Sequence, residues 1–283
     1  MNRTSYAFEA MHPKATVERI LQLMLRGWRF AAPPVLLALV LEFVVKAGWI
    51  SAPYLPAPSA ILGAIVHLIG EPLPDGNGSI LLEHVGHSAL RAVLGFFLAA
   101  VLGICLGILI GTKPIAKLAL TPVLTLMMPI PPIALAPLLI VTLGRGDLTV
   151  IIIVWFAAFF PIVYSTMTGV ATIDQKLTWV VHTMGASDIQ TFLYVTLPGS
   201  LPHVVTGLRL GLGLTWRALV AAEMVAVSDW GLGYMVFSAR EYLSFEQMYA
   251  GIVLLAIGGF VTENLVVGYI EVKTLRKWGY ERS

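Results

Sequence analysis

Six apolar stretches, each long enough to cross a lipid bilayer, constrain this chain more than any other feature. A helix that spans the hydrocarbon core needs about 20 mainly apolar residues. The sequence is 58% hydrophobic and only 12% charged, a composition that excludes a soluble globular domain. It therefore predicts an all-α integral membrane protein with six transmembrane helices in the lipid bilayer. The predicted spans cover residues 30–50, 88–111, 116–143, 148–170, 201–227 and 247–270.

The basic residues set the predicted orientation, because Lys and Arg concentrate in cytoplasmic segments. With the N-terminus inside, 13 of the 18 basic residues fall in inner segments and Arg217 lies within a span. The outer segments hold the other four, which are Lys46, Arg91, Arg145 and Arg240. Both termini are thus predicted to be cytoplasmic, with a cytoplasmic segment at 1–29 and a transmembrane domain at 30–283. A formal net charge of +2 argues against nucleic acid as a partner.

The stretch from 184 to 202 is too polar to span a bilayer, and the predicted orientation places the segment from 171 to 200 on the cytoplasmic side. It is predicted to contain two short helices. Asp174 caps the first and Gly185 ends it. Ser187-Asp188-Ile189-Gln190 is a capping box that opens the second, and Pro198 is expected to end that helix. A compact protrusion with apolar side chains in the cytosol is typical of a docking site for another protein.

The same segment carries a family signature: a glycine, nine residues, an aliphatic residue, one residue and then Leu-Pro. Here these positions are Gly185, Val195, Leu197 and Pro198. Together with the strings "YLPAPSAIL", "MPIPPIALAPLLI" and "GLGYM", the chain resembles permease subunits of binding-protein-dependent ABC importers, in the taurine, alkanesulfonate and nitrate branch. The resemblance implies the type I ABC importer permease fold, with a cytoplasmic coupling helix between spans four and five.

The resemblance also implies partners for a multi-pass subunit of the bacterial inner membrane. A second copy of the permease, expected to be identical, completes the pathway, ABC ATPase subunits bind the loops, and a periplasmic or lipid-anchored binding protein delivers a small solute. The chain is expected to be a transport subunit, not an enzyme, and to bind no cofactor. ATP and Mg²⁺ would belong to the ATPase, because the string "GILIGTKP" lacks the Gly-Lys pair of a phosphate-binding loop.

The docking loop departs from the family at its start, where Glu-Ala-Ala is usual and this chain has Trp179-Val180-Val181. Docking is therefore expected to depend on apolar contacts. The residues implied in ATPase docking are Trp179, Val180, Val181, Met184, Gly185, Ala186, Ser187, Phe192, Leu197 and Pro198.

Charged residues and proline breaks inside the spans mark candidate pathway positions. Arg217 is suited to an oxyanion such as sulfonate or nitrate, although pairing with Glu223 or Glu263 would satisfy it equally well. Pro129-Ile130-Pro131-Pro132 interrupts the third span, either as a packing kink or as part of a pathway or gate. The candidate pathway residues are Pro129, Pro131, Pro132, Trp216, Arg217 and Glu223, of which Trp216 fits ordinary helix packing as well.

Four further alternatives are weighed from the residues alone. The solute is a small anion or, alternatively, a vitamin or heterocyclic precursor. An ion-coupled secondary transporter is disfavoured because the proline break has no counterpart in later spans. Glycines spaced by four in spans two and five favour close packing within the subunit over a subunit interface. Glu83, His84 and His87 have a spacing that could hold a metal on a helix. Two histidines without a third firm ligand are a weak signal, however, so no metal site is predicted.

Overall fold

The computed structural model describes residues 32–50, 54–73, 76 and 78–267, which are mostly helical. The chain divides into two compact units, Met1–Ala64 and Ile65–Ser283. The predicted cytoplasmic segment 1–29 and the last residues of the sixth predicted span lie outside the described residues. Within the described part, the only β pairing is an isolated bridge between Pro72 and Ser79.

The first unit contains helix α1, residues 32–46, and the beginning of α2, Pro58–Gly70. Glu42 of α1 forms an ion pair with Lys46, one turn later, at 2.7 Å. Its carboxylate also accepts hydrogen bonds from the backbone N–H of Ser59 at 3.0 Å and from the Ser59 hydroxyl at 2.7 Å. A carboxylate in an apolar helix is unfavourable in a membrane, and these donors satisfy it.

Helix α6 is the centre of the second unit. Its 25 residues, Asp147–Ala171, pack along their length between α3, Ile80–Thr112, and α9, Leu197–Ala226. The shorter helices are α4 (Pro114–Met127), α5 (Ala136–Leu143), α7 (Gln175–Thr183), α8 (Asp188–Thr191), α10 (Leu232–Glu241) and α11 (Phe245–Val261). One 3₁₀ turn covers Pro132–Leu135, and π-helical turns cover Phe192–Thr196 and Thr262–Val267.

Glycines allow α3 and α9 to approach α6 closely from two sides. On α3, Gly95, Gly103, Gly107 and Gly111 lie against Val154, Ile162, Thr166 and Val170, in that order. On α9, Gly207 and Gly211 lie against Ser165 and Ile162. The glycines spaced by four in the second and fifth predicted spans thus pack within one chain, which is the interpretation that the sequence favours over a subunit interface.

The third predicted span is a broken pair of helices. Helix α4 ends at Met127, and the segment Pro132–Leu143 continues at an angle of 88° to it. The prolines at 129, 131 and 132 explain the break, because they remove backbone donors and their rings clash with the preceding turn. Four other helices among the described residues are long and apolar enough to cross a bilayer. Helix α1, at 32–46, falls short of that length within the described part, so six spans stay a prediction.

Helix α3 begins at Ile80, eight residues before the predicted start of the second span at 88, and the start of the span itself stays a prediction. One predicted helix end is wrong. Pro198 does not end a helix, since the π-helical turn Phe192–Thr196 leads directly into α9. In that turn the N–H of Leu197 donates to the carbonyl of Phe192, five residues back. The wider turn accommodates the proline ring that a regular α-helix would reject.

We expect Gly107→Ala to lower the free energy of unfolding by about 1–3 kcal/mol through overpacking. A Cβ at this position would lie 2.6 Å from the Cβ of Thr166 and 2.8 Å from the carbonyl oxygen of Val163. The matched control is Gly86→Ala on the same helix, where a Cβ meets nothing within 4 Å. Unfolding in detergent measures both variants, and equal stabilities would contradict close α3–α6 contact at Gly107.

Candidate functional site

A buried ion pair joins α3 to α9. The Nη1 atom of Arg91 lies 2.8 Å from Oε1 of Glu223, and the two side chains are 2% and 0% exposed. Arg91 also contacts Asp147, the first residue of α6, through Nε at 2.7 Å and Nη2 at 2.6 Å. Its Nη1 donates a further hydrogen bond to the carbonyl of Trp230 at 2.6 Å. One guanidinium therefore connects three long helices and the turn that leads into α10.

Further hydrogen bonds complete the coordination of the Glu223 carboxylate. The Ser88 hydroxyl lies 2.8 and 2.9 Å from its two oxygens, and the backbone N–H of Gly233 donates at 2.8 Å. The Ser88 oxygen in turn accepts the N–H of Leu232 at 2.8 Å. Buried ion pairs are tolerated only when their remaining polar atoms are also bonded, and this pair meets that condition.

The turn before α10 requires glycine because it lies against this ion pair. Gly231 has φ +148°, and a Cβ there would come within 2.6 Å of Arg91 Nη1. Nδ1 of His84 lies 3.0 Å from both the backbone nitrogen and the carbonyl oxygen of Gly231, and it accepts from the first or donates to the second according to its tautomer. His84 is thus held by backbone. Among the described residues, no group of three His, Cys, Asp or Glu is arranged to hold a metal ion.

A cavity of about 370 Å³ lies beside the proline break, and one charged residue lines it. Arg217 of α9 lines it and is exposed, and it forms no hydrogen bond or ion pair with any described residue. The other lining residues are mainly apolar and include Pro129, Pro131, Pro132, Phe156, Phe160 and Leu214. The fold therefore brings together four of the six candidate pathway residues around one space.

The other two candidates lie elsewhere. Glu223 pairs with Arg91, so the alternative that it neutralises Arg217 is not realised. Trp216 donates a hydrogen bond from Nε1 to the Thr262 hydroxyl at 2.5 Å, and its ring lies against Gly258 of α11. Its contacts are those of a helix-packing residue, which was the second interpretation of its sequence position.

The cavity has the chemistry of a weakly polar anion site. A guanidinium offers five N–H donors in a planar fork that matches two oxygens of an oxyanion. The surrounding apolar side chains give a bound anion few other partners. Clefts of about 300–1,000 Å³ are typical of small-molecule sites. A charged side chain within a span must face protein or a water-filled space, and this one faces the cavity.

The segment 171–200 folds much as its sequence predicts. Asp174 caps α7, accepting the N–H of Lys176 at 2.9 Å, and Gly185 ends the turn with φ +87°. The capping box is formed at Ser187 and Gln190, with bonds of 2.8 and 3.4 Å. Of the predicted docking residues, Trp179, Val180, Met184, Gly185 and Ser187 are exposed, whereas Val181, Ala186, Phe192, Leu197 and Pro198 are half-buried.

The sequence interpretation missed the role of Arg91, which it assigned to an outer segment. The available signal was an arginine three residues inside an apolar stretch, a position that requires an acidic partner. Two acids, Asp147 and Glu223, stood near the ends of other predicted spans. Nothing in the sequence specified which of them, or of the other acids, would reach Arg91.

We expect Glu223→Ala to lower the free energy of unfolding by about 3–5 kcal/mol, because it removes a principal partner of a buried guanidinium. Asp147→Asn is the control on the same arginine. Its side chain is 54% exposed, so water can replace part of its interaction and the loss should stay below about 1 kcal/mol. Equal losses in the two variants, measured by denaturant titration in detergent, would contradict the central role of the Arg91–Glu223 pair.

Comparison with known proteins agrees with this geometry. Residues 103–271 match the family described as binding-protein-dependent transport system inner membrane component. The chain is 38% identical over 215 residues to the taurine transport system permease protein TauC of Escherichia coli (strain K12), covering 76% of this chain and 77% of that protein. It is 34% identical over 222 residues to the nitrate import permease protein NrtB of Synechocystis sp., covering 75% and 80%.

A solved structure shows the same fold. The inward-facing MetNI methionine ABC transporter superposes with a TM-score of 0.56 at 20% identity, covering 70% of this chain and 95% of that one. The predicted type I permease fold is thereby confirmed. The matched segment contains α9 with Arg217 and Glu223 and the whole of segment 171–200. The chain therefore belongs to the inner-membrane permease components of binding-protein-dependent ABC importers, in the branch that includes the taurine and nitrate permeases.

Proposed function

We propose that this permease carries a small organic sulfonate or nitrate-like anion from a periplasmic binding protein into the cytoplasm. The observation that carries the proposal is Arg217, an exposed guanidinium in a cavity within a span and without a partner among the described residues. The taurine and nitrate permeases that resemble this chain are named for solutes with oxygen-rich anionic groups. A sulfonate or nitrate would present two oxygens to the guanidinium fork.

A neutral heterocyclic precursor or vitamin is the less suitable solute. Such a molecule would gain from the aromatic and proline walls but would leave the guanidinium without a counter-charge. Leaving a charge unpaired in a low-dielectric space is unfavourable, and an anion removes that penalty. Family membership removes the other alternative, an ion-coupled secondary transporter, because transport in this family depends on a binding protein and a separate ATPase subunit.

A second, identical copy of the chain is proposed to complete the pathway. The face of α9 that carries Arg217 also exposes Thr206 and Leu210. Placing an arginine against lipid costs at least about 2.5–3.5 kcal/mol. A second copy that presents the same face would enclose the two arginines around a water-filled path, where the solute can bind.

The segment 171–200 is proposed to be the cytoplasmic docking element for the ATPase that holds ATP and Mg²⁺, with both termini of the chain on the same side. Trp179, Val180 and Met184 expose 63%, 56% and 81% of their surface. Apolar contact with these side chains would replace the acidic residue that the family usually has here. Rigid-body movement of the docked segment would then be transmitted to α9, because no break separates α8 from α9.

Arg217→Gln is expected to reduce uptake by about 10- to 100-fold, since a hydrogen bond to a charged group contributes roughly 1.5–3 kcal/mol. Arg217→Lys keeps the charge without the planar fork and should give an intermediate rate. Uptake of labelled taurine and nitrate would be measured in proteoliposomes that contain the complete complex.

The matched control for the uptake measurement is Arg145→Gln. Arg145 is an exposed arginine in the turn between α5 and α6, outside the cavity. Its substitution should leave uptake unchanged. If Arg217→Gln transports both anions at the normal rate, Arg217 does not contact the solute and the anion assignment fails.

Gly185→Arg is expected to abolish copurification of the ATPase, because a side chain is strained at φ +87° and would distort the turn between α7 and α8. Gly144→Arg is the matched control. Gly144 has nearly the same φ, +85°, and open space around it, but it lies in the turn after α5, outside the segment 171–200. Loss of the ATPase in both variants, or in neither, would contradict docking at this segment.

A further inference from the structure

A polar stripe runs along α4, outside the Arg217 cavity. Lys117, Thr121 and Thr125 are spaced by four residues, so they lie on one face of the helix. They line a groove of about 720 Å³. The remaining lining residues are Pro114, Leu118, Pro122 and Leu126. A polar side chain on a membrane helix is unfavourable unless it has a partner.

The groove adjoins the Arg217 cavity on two helices at once. The Thr125 hydroxyl lies 2.8 Å from the Tyr164 hydroxyl of α6. Met128, one turn after Thr125 on the chain, lines the Arg217 cavity. Phe160 and Pro161, one turn before Tyr164 on α6, line it as well. A small solute that leaves the cavity along α4 and α6 therefore passes the stripe next.

The Thr125 hydroxyl is already bonded, because it donates to the carbonyl of Thr121 at 2.8 Å as well as contacting Tyr164. The other two side chains of the stripe have donors that the described structure does not use. The Thr121 hydroxyl is shielded and has no hydrogen-bond partner. Lys117 is exposed and forms no ion pair with a described residue. The three donors of the Lys117 ammonium are therefore open to an oxyanion, whereas the shielded Thr121 hydroxyl can add its one donor only when the neighbouring atoms move aside.

We propose that Lys117, on the same helix face as Thr121 and Thr125, is the charged donor of a second anion site between the Arg217 cavity and the beginning of α4. The inference rests on the proposed function for the class of solute, a small sulfonate or nitrate-like anion. Lysine is a compact, mobile and strongly hydrated charge without the fork geometry of arginine, so it holds an oxyanion less specifically. Passage through several sites requires each to bind weakly enough for the solute to leave. A loose site after a more specific one meets that requirement.

The alternative is that Lys117 only reaches the lipid–water interface. It lies in the first turn of α4, and lysines near the ends of spans commonly extend to that interface. In that case the groove faces lipid and an aqueous anion has no access to it. The two arrangements make different predictions for charged, water-soluble reagents. Only in an anion site do such reagents reach the groove, and only there does Lys117 make the anionic reagent react faster than the cationic one.

The test is the reactivity of a cysteine in the groove. Thr125→Cys would be combined with Cys105→Ala, which removes the exposed natural thiol, in the complete complex with its ATPase and binding protein. The probes are two methanethiosulfonates, one with a sulfonate and one with a trimethylammonium group. Their ratio of rates reports local charge and cancels the thiolate fraction, because both react with the thiolate.

We expect the sulfonate reagent to react faster, and Lys117→Gln to lower the ratio of rates by about three- to tenfold. This range follows from Coulomb interaction over about 12 Å, the length of eight residues of helix. The matched control, Lys113→Gln, removes a lysine four residues earlier that lines a different cavity. It should lower the ratio at residue 125 clearly less than Lys117→Gln does, because it lies about 18 Å away along the helix. Leu118→Cys is a second reporter that keeps the Thr125–Tyr164 bond.

Two results would overturn the site. If neither charged reagent labels either cysteine, with or without labelling by the membrane-permeant N-ethylmaleimide, water and anions do not reach the groove and it faces lipid. If Lys117→Gln leaves the ratio unchanged, Lys117 does not attract anions into the groove. Labelling requires no transport, so its outcome is separate from that of Arg217→Gln on uptake. Normal uptake by Arg217→Gln would overturn the proposed function, even if the groove still reacted faster with the sulfonate reagent.

Discussion

The buried ion pair between Arg91 and Glu223 is the constraint on which the rest of the second unit depends. A guanidinium within a membrane helix must find anionic and carbonyl partners, and Arg91 takes them from α6, α9 and the turn before α10. This demand fixes the ends of three long helices relative to each other. The close glycine contacts along α6 then hold the same helices together over their remaining length. Charge satisfaction at one end and shape complementarity along the helices therefore favour one arrangement.

That arrangement is what leaves Arg217 available. Arg217 lies six residues before Glu223 on α9, about 240° around the helix. One side of α9 therefore faces the ion pair, and another side faces the cavity. The break in the third span supplies the opposite wall. Backbone without regular hydrogen bonds is tolerated at membrane depth only against protein or a water-filled space. The prolines at 129, 131 and 132 meet this condition by lining the cavity.

The sequence predicted features that depend on neighbouring residues. The cap at Asp174, the capping box at Ser187 and the positive φ of Gly185 follow from local chemistry, and the spans follow from hydropathy. It did not predict contacts between distant helices. Arg91 was counted with an outer segment, and its partners are 56 and 132 residues away along the chain. Pro198 was misjudged because a π-helical turn depends on backbone geometry that residue types do not specify.

The two arginines also show why residue type alone did not define the site. Both lie in apolar helices, and both carry the same charge and the same donors. Arg91 is saturated by carboxylates and carbonyl oxygen, so it has nothing left to offer a solute. Arg217 has no such partner among the described residues and lies beside a cavity. What the fold brings to each arginine thus distinguishes the structural cation from the one proposed to bind the solute. The proposed role requires this difference, since a residue that must release its ligand in every cycle cannot also hold the helices together.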